Sequence, residues 1–258
     1  EAGAAKNLKG IYDRGQPLVQ LGMVVATALS SSLLPVLTKN IVEKREQAFY
    51  QNAISFLRIT AVVSAAATTG IILLLPYLNQ TLFGDKQGIV ALSVYVGAVF
   101  FAAMIGSVNA ILQSRNEHRQ AFLGLVYGLV TKWIINSMLI RWFGIVGSSM
   151  GTVLGLAVSL LYVWSRLNRS IRNVWKEKQF GIKLLISCFV MGAGVWVTTS
   201  LLTTMGLSEE RLGSLLVSLV GIGIGTALFL KWIIYTKLMT IREWLSLPFG
   251  KQLLGKRG

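Results

Sequence analysis

The chain of 258 residues is rich in apolar side chains: 53% of its residues are hydrophobic and only 14% are charged. Because a soluble globular domain carries about 25% charged residues, this composition excludes an ordinary soluble protein and predicts a membrane protein. The net charge is +15, but the basic residues cluster between long apolar runs. That distribution is typical of membrane topology, so we predict no nucleic-acid partner.

Seven apolar runs divide the chain, and each is close to the ~20 residues that cross hydrocarbon as a helix. The runs lack the alternation of an outer-membrane barrel, and backbone groups in lipid must be satisfied within the segment, so helices are predicted. The fold class is therefore an all-α polytopic membrane protein with seven transmembrane helices. The runs cover residues 18–37, 54–78, 88–112, 121–140, 145–164, 182–204 and 212–230.

Lysine and arginine residues are concentrated in alternate loops, which predicts an outside N-terminus and a cytoplasmic C-terminus. Residues 39–53 form a polar segment between the first two runs, and a short loop at 141–144 separates the fourth and fifth. We divide the chain into five spans (1–164), a basic cytoplasmic connector (165–181), two further spans (182–235) and a basic amphipathic tail (236–258). The connector and the tail are expected to contact anionic membrane lipids.

A compact polar cluster precedes the first run and contains Asp13, Arg14 and Gln16, followed by Pro17. Charged groups at the edge of hydrocarbon need water, a partner or a substrate. Pro17 suits the first turn of a helix, where its missing N–H costs nothing. The donors of Arg14 and Gln16 at a helix start are suited to an anionic head group, so we predict a substrate-binding site here.

Three further polar residues lie within or beside the apolar runs. Arg58 is a candidate substrate contact, although an arginine near a span end often acts as a snorkelling anchor. Asn109 is a second candidate, with an interhelical hydrogen bond as the alternative. Lys132 lies in the middle of a run, where snorkelling is harder, so a cavity-facing or paired role is equally expected.

Signatures of an enzyme are missing from the sequence. His118 is the only histidine and Cys188 the only cysteine, so neither a metal site of these ligands nor a histidine-dependent triad is predicted. No acidic residue falls inside an apolar run, whereas ion-coupled pumps usually keep a carboxylate there. We therefore predict neither an enzyme nor a bound cofactor or metal.

The segment 10–38 begins GIYDRGQPLVQLG and ends with Leu34-Pro35 before Thr38-Lys39. It resembles the eighth transmembrane helix of the MurJ/MviN-type lipid II flippases and related polysaccharide exporters, and looks closest to the stage V sporulation protein B branch. The rest of the chain has a similar pattern of helices and loops. The resemblance implies a two-lobed transporter of fourteen helices, in which these spans are helices eight to fourteen and the N-terminal lobe of the same protein is missing.

The resemblance also implies residue roles. An arginine at the position of Arg14 lines the central cavity and holds the pyrophosphate of a lipid-linked saccharide; Asp13 would orient Arg14, and Gln16 would contact sugar or phosphate. Some relatives bind sodium partly through an Asn-x-x-x-Asp pair on helix eleven. Here Asn136 is followed at that spacing by Ile140, so the coupling ion is left open.

The leading hypothesis is a flippase of the bacterial cytoplasmic membrane that moves an undecaprenyl-pyrophosphate-linked saccharide, such as lipid II, from the inner to the outer leaflet by alternating access. It would serve peptidoglycan or polysaccharide synthesis, with roles in cell shape and sporulation. One alternative is a cation-coupled drug exporter of the same superfamily. Another is a non-transporting scaffold that recruits cell-wall enzymes through its basic connector and tail.

Overall fold

The computed structural model describes residues 10, 12–172, 178–206, 210–240 and 243, which are helical apart from short connections. The prediction of an all-α membrane protein is confirmed for these residues. The middle of the predicted connector (173–177) and most of the predicted tail (241–242 and 244–258) lie outside the described residues. The helices are α1 (Gly15–Val42), α2 (Glu46–Phe83), α3 (Ile89–Val96), α4 (Ala98–Ser114), α5 (His118–Arg166), α6 (Arg169–Arg172), α7 (Lys178–Thr204) and α8 (Arg211–Thr236).

Five helices of the described part are long and apolar enough to cross a membrane: α2, the continuous segment formed by α3 and α4, α5, nearly all of α7, and α8. The predicted run 18–37 lies within the 28 residues of α1, and two further predicted runs lie within α5. The count of seven spans stays a prediction.

The polar segment at 39–53 is mostly helical. Only three residues separate α1 from α2. Lys44 adopts a left-handed backbone with φ 53°, and the Arg45 N–H donates to Asn40 O at 2.8 Å. The turn thus provides hydrogen-bond donors for backbone carbonyl groups in the last turn of α1. Both helices extend beyond the apolar residues that define their spans.

The predicted loop at 141–144 is also shorter than expected, because only Gly144 departs from helical geometry. Its φ of 55° and ψ of −128° suit glycine, which has no Cβ to clash with the backbone. The two halves of α5 then pack antiparallel. A Cβ at Gly151 would overlap Asn136 Oδ1, and one at Gly155 would lie 2.7 Å from Gly128 O. Small residues thus let the two backbones approach closely.

Helix α2 lies at the centre of the described helices, because it packs against α1, α3, α4, α7 and α8. Its contact with α4 includes a buried hydrogen bond in which Ser107 Oγ donates to Thr60 Oγ1 at 3.0 Å. With 38 residues, α2 is about 57 Å long. The buried core around it includes Leu37, Phe49, Leu57, Met104, Val108, Ile111, Met191 and Val195.

We expect Gly155→Ala to destabilise the protein, because the added methyl group would press on Gly128 O and on Lys132 Cβ, 2.8 Å from the ideal Cβ position. Overpacking of this kind costs roughly 1–3 kcal/mol. The matched control is Gly223→Ala in α8, where nothing lies within 4 Å of the new Cβ and helix propensity favours alanine. Thermal unfolding in detergent should show a lower Tm for Gly155→Ala alone; equal Tm values would contradict the close packing.

Candidate functional site

Arg14, directly before α1, binds a carboxylate from the connection between α2 and α3. Its Nη1 donates to Asp85 Oδ1 at 2.7 Å and to Oδ2 at 2.8 Å. The guanidinium also lies over the ring of Phe83, 5.0 Å from its centroid. The side chains of Arg14 and Asp85 keep 26% and 31% of their surface exposed. The ion pair is therefore formed but remains reachable from solvent.

The connection that carries Asp85 is a tight turn with a glycine in left-handed conformation at each end. Gly84 has φ 76° and Gly88 has φ 71°, values that residues with a Cβ rarely adopt. The Gln87 N–H donates to Asp85 Oδ1 at 3.0 Å, and Asn79 Nδ2 donates to Gln87 O at 2.9 Å. These bonds fix the turn and present the carboxylate to Arg14.

The pKa of Asp85 lies below its usual value, mainly because Arg14 hydrogen-bonds the ionised carboxylate and secondly because the Gln87 N–H does the same. Both interactions favour the charged form of the side chain. Asp85 is therefore ionised at neutral pH and is a full counter-charge for Arg14.

Two tyrosines connect the start of α1 to the rest of the molecule. The rings of Tyr12 and Tyr95 are 4.9 Å apart, and the Tyr12 hydroxyl is hydrogen-bonded to Thr152 Oγ1 at 2.9 Å. Gly15 allows the backbone to approach Tyr95, since a Cβ there would lie 2.6 Å from the tyrosine Cδ1. These contacts hold the Arg14 segment against both α3 and the second half of α5.

Lys132 lies next to this group, on the first half of α5. It is half-buried and lines a cavity of about 500 Å³ together with Thr152, Gly155 and Ser159. Thr152 therefore belongs both to this cavity and to the contact with Tyr12. Ser159 Oγ is buried without a hydrogen-bond partner among the described residues. The cavity thus combines one cation with hydroxyl groups and is otherwise lined by apolar residues, including Phe122, Leu125 and Leu129.

Arg58 belongs to a different site. Its Nη1 lies 3.9 Å from Glu243 Oε1, and its guanidinium lies over the ring of Phe180, 5.4 Å from the centroid. Glu243 is only 2% exposed, and its Oε2 accepts the Thr240 N–H at 2.7 Å. Since 25 residues of α2 separate Arg58 from Phe83, the two arginines are about 37 Å apart along the helix.

The structure brings together some of the predicted site residues and separates others. Arg14 and Lys132 lie on the same side of the molecule, connected through Tyr12 and Thr152. Asn109 lies on α4, two residues after the serine that bonds to Thr60, and is therefore near the level of Arg58. Its Oδ1 is buried without a partner in the described part of the chain.

Asp13 and Gln16 are both exposed. The carboxylate that binds Arg14 is Asp85, whereas the resemblance had implied Asp13 as the group that orients it. Consecutive residues on a helix point about 100° apart, so Asp13 and Arg14 face different directions. A substrate-binding role stays a prediction for all six predicted residues: Asp13, Arg14, Gln16, Arg58, Asn109 and Lys132.

The sequence analysis missed two acidic residues, Asp85 and Glu243. Asp85 follows Gly84 in a short polar loop, which looks like an ordinary solvated turn. Glu243 carried a clearer signal, because it is the only acidic residue among residues 236–258. A single carboxylate in a basic segment beside an arginine-containing span suggests an ion pair.

A second cavity, of about 380 Å³, lies between α2, α7 and α8. Its walls are almost entirely apolar, and small residues at Ala66, Gly70, Gly221 and Gly225 make room for it. It offers hydrocarbon contacts but no charged group. It therefore differs from the other cavity, which has Lys132 among its lining residues.

Comparison with known proteins assigns the chain to a family. Residues 18–216 match the family model described as lipid II flippase MurJ. The chain belongs to the MurJ lipid II flippase family. This family consists of transporters and not enzymes, and the chain is a multi-pass membrane protein.

Two relatives from Bacillus subtilis (strain 168) show how far the similarity of this MurJ-family chain extends. It is 31% identical to the uncharacterized membrane protein YabM over 251 residues, which is 96% of this chain and 47% of that protein. It is 27% identical to the lipid II flippase MurJ over 225 residues, which is 83% of this chain and 41% of that protein. The chain thus spans about half the length of the curated relatives it matches.

The stability contributed by the Arg14–Asp85 ion pair should decrease only when the pH is lowered. A carboxylate with a lowered pKa contributes stability above its unfolded-state pKa, about 3.9, and loses it as the pH falls through the lower folded-state value. Because the pair is partly exposed, we expect Asp85→Asn to cost less than about 1 kcal/mol at pH 7. Tm measurements on both proteins should show this difference persisting at pH 5. Its loss between pH 6 and pH 5 would contradict an ionised, arginine-bound Asp85.

The Arg58–Glu243 pair should matter more for stability, because Glu243 is buried. We expect Glu243→Gln to destabilise this MurJ-family chain by on the order of 3 kcal/mol, since one buried charge loses its partner. The control is Glu46→Gln, an exposed position on the same helix as Arg58. Replacing both partners by methionine should recover part of the loss of Tm. If the buried and the exposed substitutions gave equal Tm values, Glu243 would not be paired in the protein.

Proposed function

We propose that the protein is a flippase that moves an undecaprenyl-pyrophosphate-linked saccharide, lipid II in the first instance, from the inner to the outer leaflet of the bacterial cytoplasmic membrane. The observation that carries this proposal is the family match over residues 18–216. The substrate class is supported by Arg14, a part-exposed guanidinium suited to the negative oxygens of a diphosphate.

In this proposal the described helices form the second lobe of a fourteen-helix transporter, with the N-terminus outside and the C-terminus in the cytoplasm. The two lobes rock around a shared cavity, which opens first to one side of the membrane and then to the other. Residues 165–181 and 236–258 connect and flank the last two spans at the anionic inner leaflet. The coupling ion is left open.

The two described cavities suggest a division of the substrate between them. Arg14 would hold the diphosphate, and Lys132 would contact a further phosphate oxygen or a sugar hydroxyl from its neighbouring cavity. The prenyl tail needs an apolar path beside the membrane. The cavity between α2, α7 and α8 is a candidate for this path because its walls are almost entirely apolar.

The central test is complementation of cells depleted of their lipid II flippase, with the protein expressed from its complete reading frame. We expect the unaltered protein to restore growth and Arg14→Ala to abolish the rescue. Losing charge-assisted hydrogen bonds worth about 1.5–3 kcal/mol should slow transport roughly 10- to 100-fold. Arg14→Lys keeps the charge but loses the planar fork, so it should rescue only partly.

The matched control is Arg119→Ala, which removes an exposed arginine in the first turn of α5. It should rescue as well as the unaltered protein, and immunoblots should show equal amounts of all variants in the membrane. Normal growth with Arg14→Ala would contradict the proposed site. Failure of the unaltered protein to rescue would contradict lipid II as the substrate and direct the test to other diphosphate-linked glycans.

A further inference from the structure

The arginine proposed to bind the substrate is already bound to a carboxylate of its own chain. A single nitrogen of Arg14, Nη1, contacts both oxygens of Asp85 at 2.7 and 2.8 Å. Phe83 covers one face of the guanidinium. A phosphate oxygen that approaches Nη1 therefore meets a donor that Asp85 already occupies.

Carboxylates and phosphates bind an arginine through the same N–H groups, so they compete for it. A diphosphate carries more negative charge and more acceptor oxygens than one carboxylate. The head group of an ordinary anionic phospholipid carries a single phosphate charge and has less advantage over Asp85. Competition with Asp85 for Arg14 therefore favours the ligand with more negative charge over the ligand with less.

The turn that holds Asp85 belongs to neither flanking helix, so the Asp85 side chain can leave Arg14 without a helix unfolding. The turn lies between Gly84 and Gly88, both with positive φ, and outside α2 and α3. A second cation is close, because a Cβ on Gly84 would overlap the guanidinium of Arg211. Arg211 is exposed at the start of α8, where it can receive the released carboxylate.

We propose that Asp85 is a displaceable counter-ion of Arg14, which a lipid diphosphate replaces and an anionic phospholipid does not. Asp85 is then a specificity-determining residue of the site. This inference rests on the proposed function, because it takes Arg14 as the substrate's diphosphate site. It adds a reason why a cationic site exposed to anionic phospholipids stays available to a lipid diphosphate.

The test measures binding of inorganic pyrophosphate by titration calorimetry to the complete protein in nanodiscs of neutral phosphatidylcholine. If Arg14 is free of Asp85 about a tenth of the time, Asp85→Asn should bind pyrophosphate about tenfold tighter. Asp85→Ser should behave in the same way. The control is Glu210→Gln, which removes one exposed negative charge beside Arg211 and should leave the affinity unchanged. The gain should disappear in the double variant Arg14→Gln/Asp85→Asn.

Two further arms test selectivity and the source of the diphosphate. In nanodiscs that contain phosphatidylglycerol, Asp85→Asn should lose its gain because the phospholipid now occupies Arg14, while the unaltered protein should be little affected. A polyisoprenyl diphosphate placed in the neutral nanodiscs should show the same order of affinities as inorganic pyrophosphate. If Asp85→Asn bound inorganic pyrophosphate more tightly but not the polyisoprenyl diphosphate, the assignment to a lipid head group would be overturned.

The outcomes separate this inference from the function on which it rests. If binding depends on Arg14 but Asp85→Asn binds equally or more weakly, Asp85 positions the arginine and is not displaced; the counter-ion role is then overturned and the site stands. If neither protein shows Arg14-dependent binding of either diphosphate, both the counter-ion role and the proposed site are overturned.

Discussion

An arginine at the edge of hydrocarbon must be paired or hydrated, and this requirement organises both ends of the apolar part of α2. Beyond one end, Arg14 binds Asp85 from the turn that follows the helix. Near the other, Arg58 lies against the buried Glu243. In each case the partner comes from a distant part of the chain, so pairing the charge also connects separate elements: α1 to the α2–α3 turn, and the C-terminal segment to α2.

The two pairs differ in burial, and that difference suggests different roles. Asp85 keeps about a third of its surface, whereas Glu243 keeps almost none. A partly exposed pair has water available to both partners and exchanges at little cost. A buried pair is expensive to break because a charge is left without compensation. The first is suited to binding a ligand and the second to holding the fold.

The sequence was informative where hydrophobicity alone decides the structure, and the family resemblance rests on the GIYDRGQPLVQLG segment at the start of α1. The sequence was less informative where three-dimensional contacts determine where a helix ends or which residue pairs with a charge. The apolar runs located the helices, but only the turn at Lys44 shows that α1 and α2 extend into the polar segment. Likewise Asp13 is adjacent to Arg14 in sequence, yet Asp85 is its partner because helix geometry turns adjacent side chains apart. A contact between residues 71 positions apart leaves no signal in the local pattern.

The length of α2 has a mechanical consequence. At 38 residues it is about 57 Å long, nearly twice the ~30 Å thickness of the hydrocarbon. Between Arg58 and Phe83 the helix is about 37 Å long, so a tilt of about 10° around Arg58 would displace the Phe83 end by about 6 Å. Because α2 also contacts most of the other helices, a change in its inclination around Arg58 would move the surroundings of Arg14 more than the packing near Arg58.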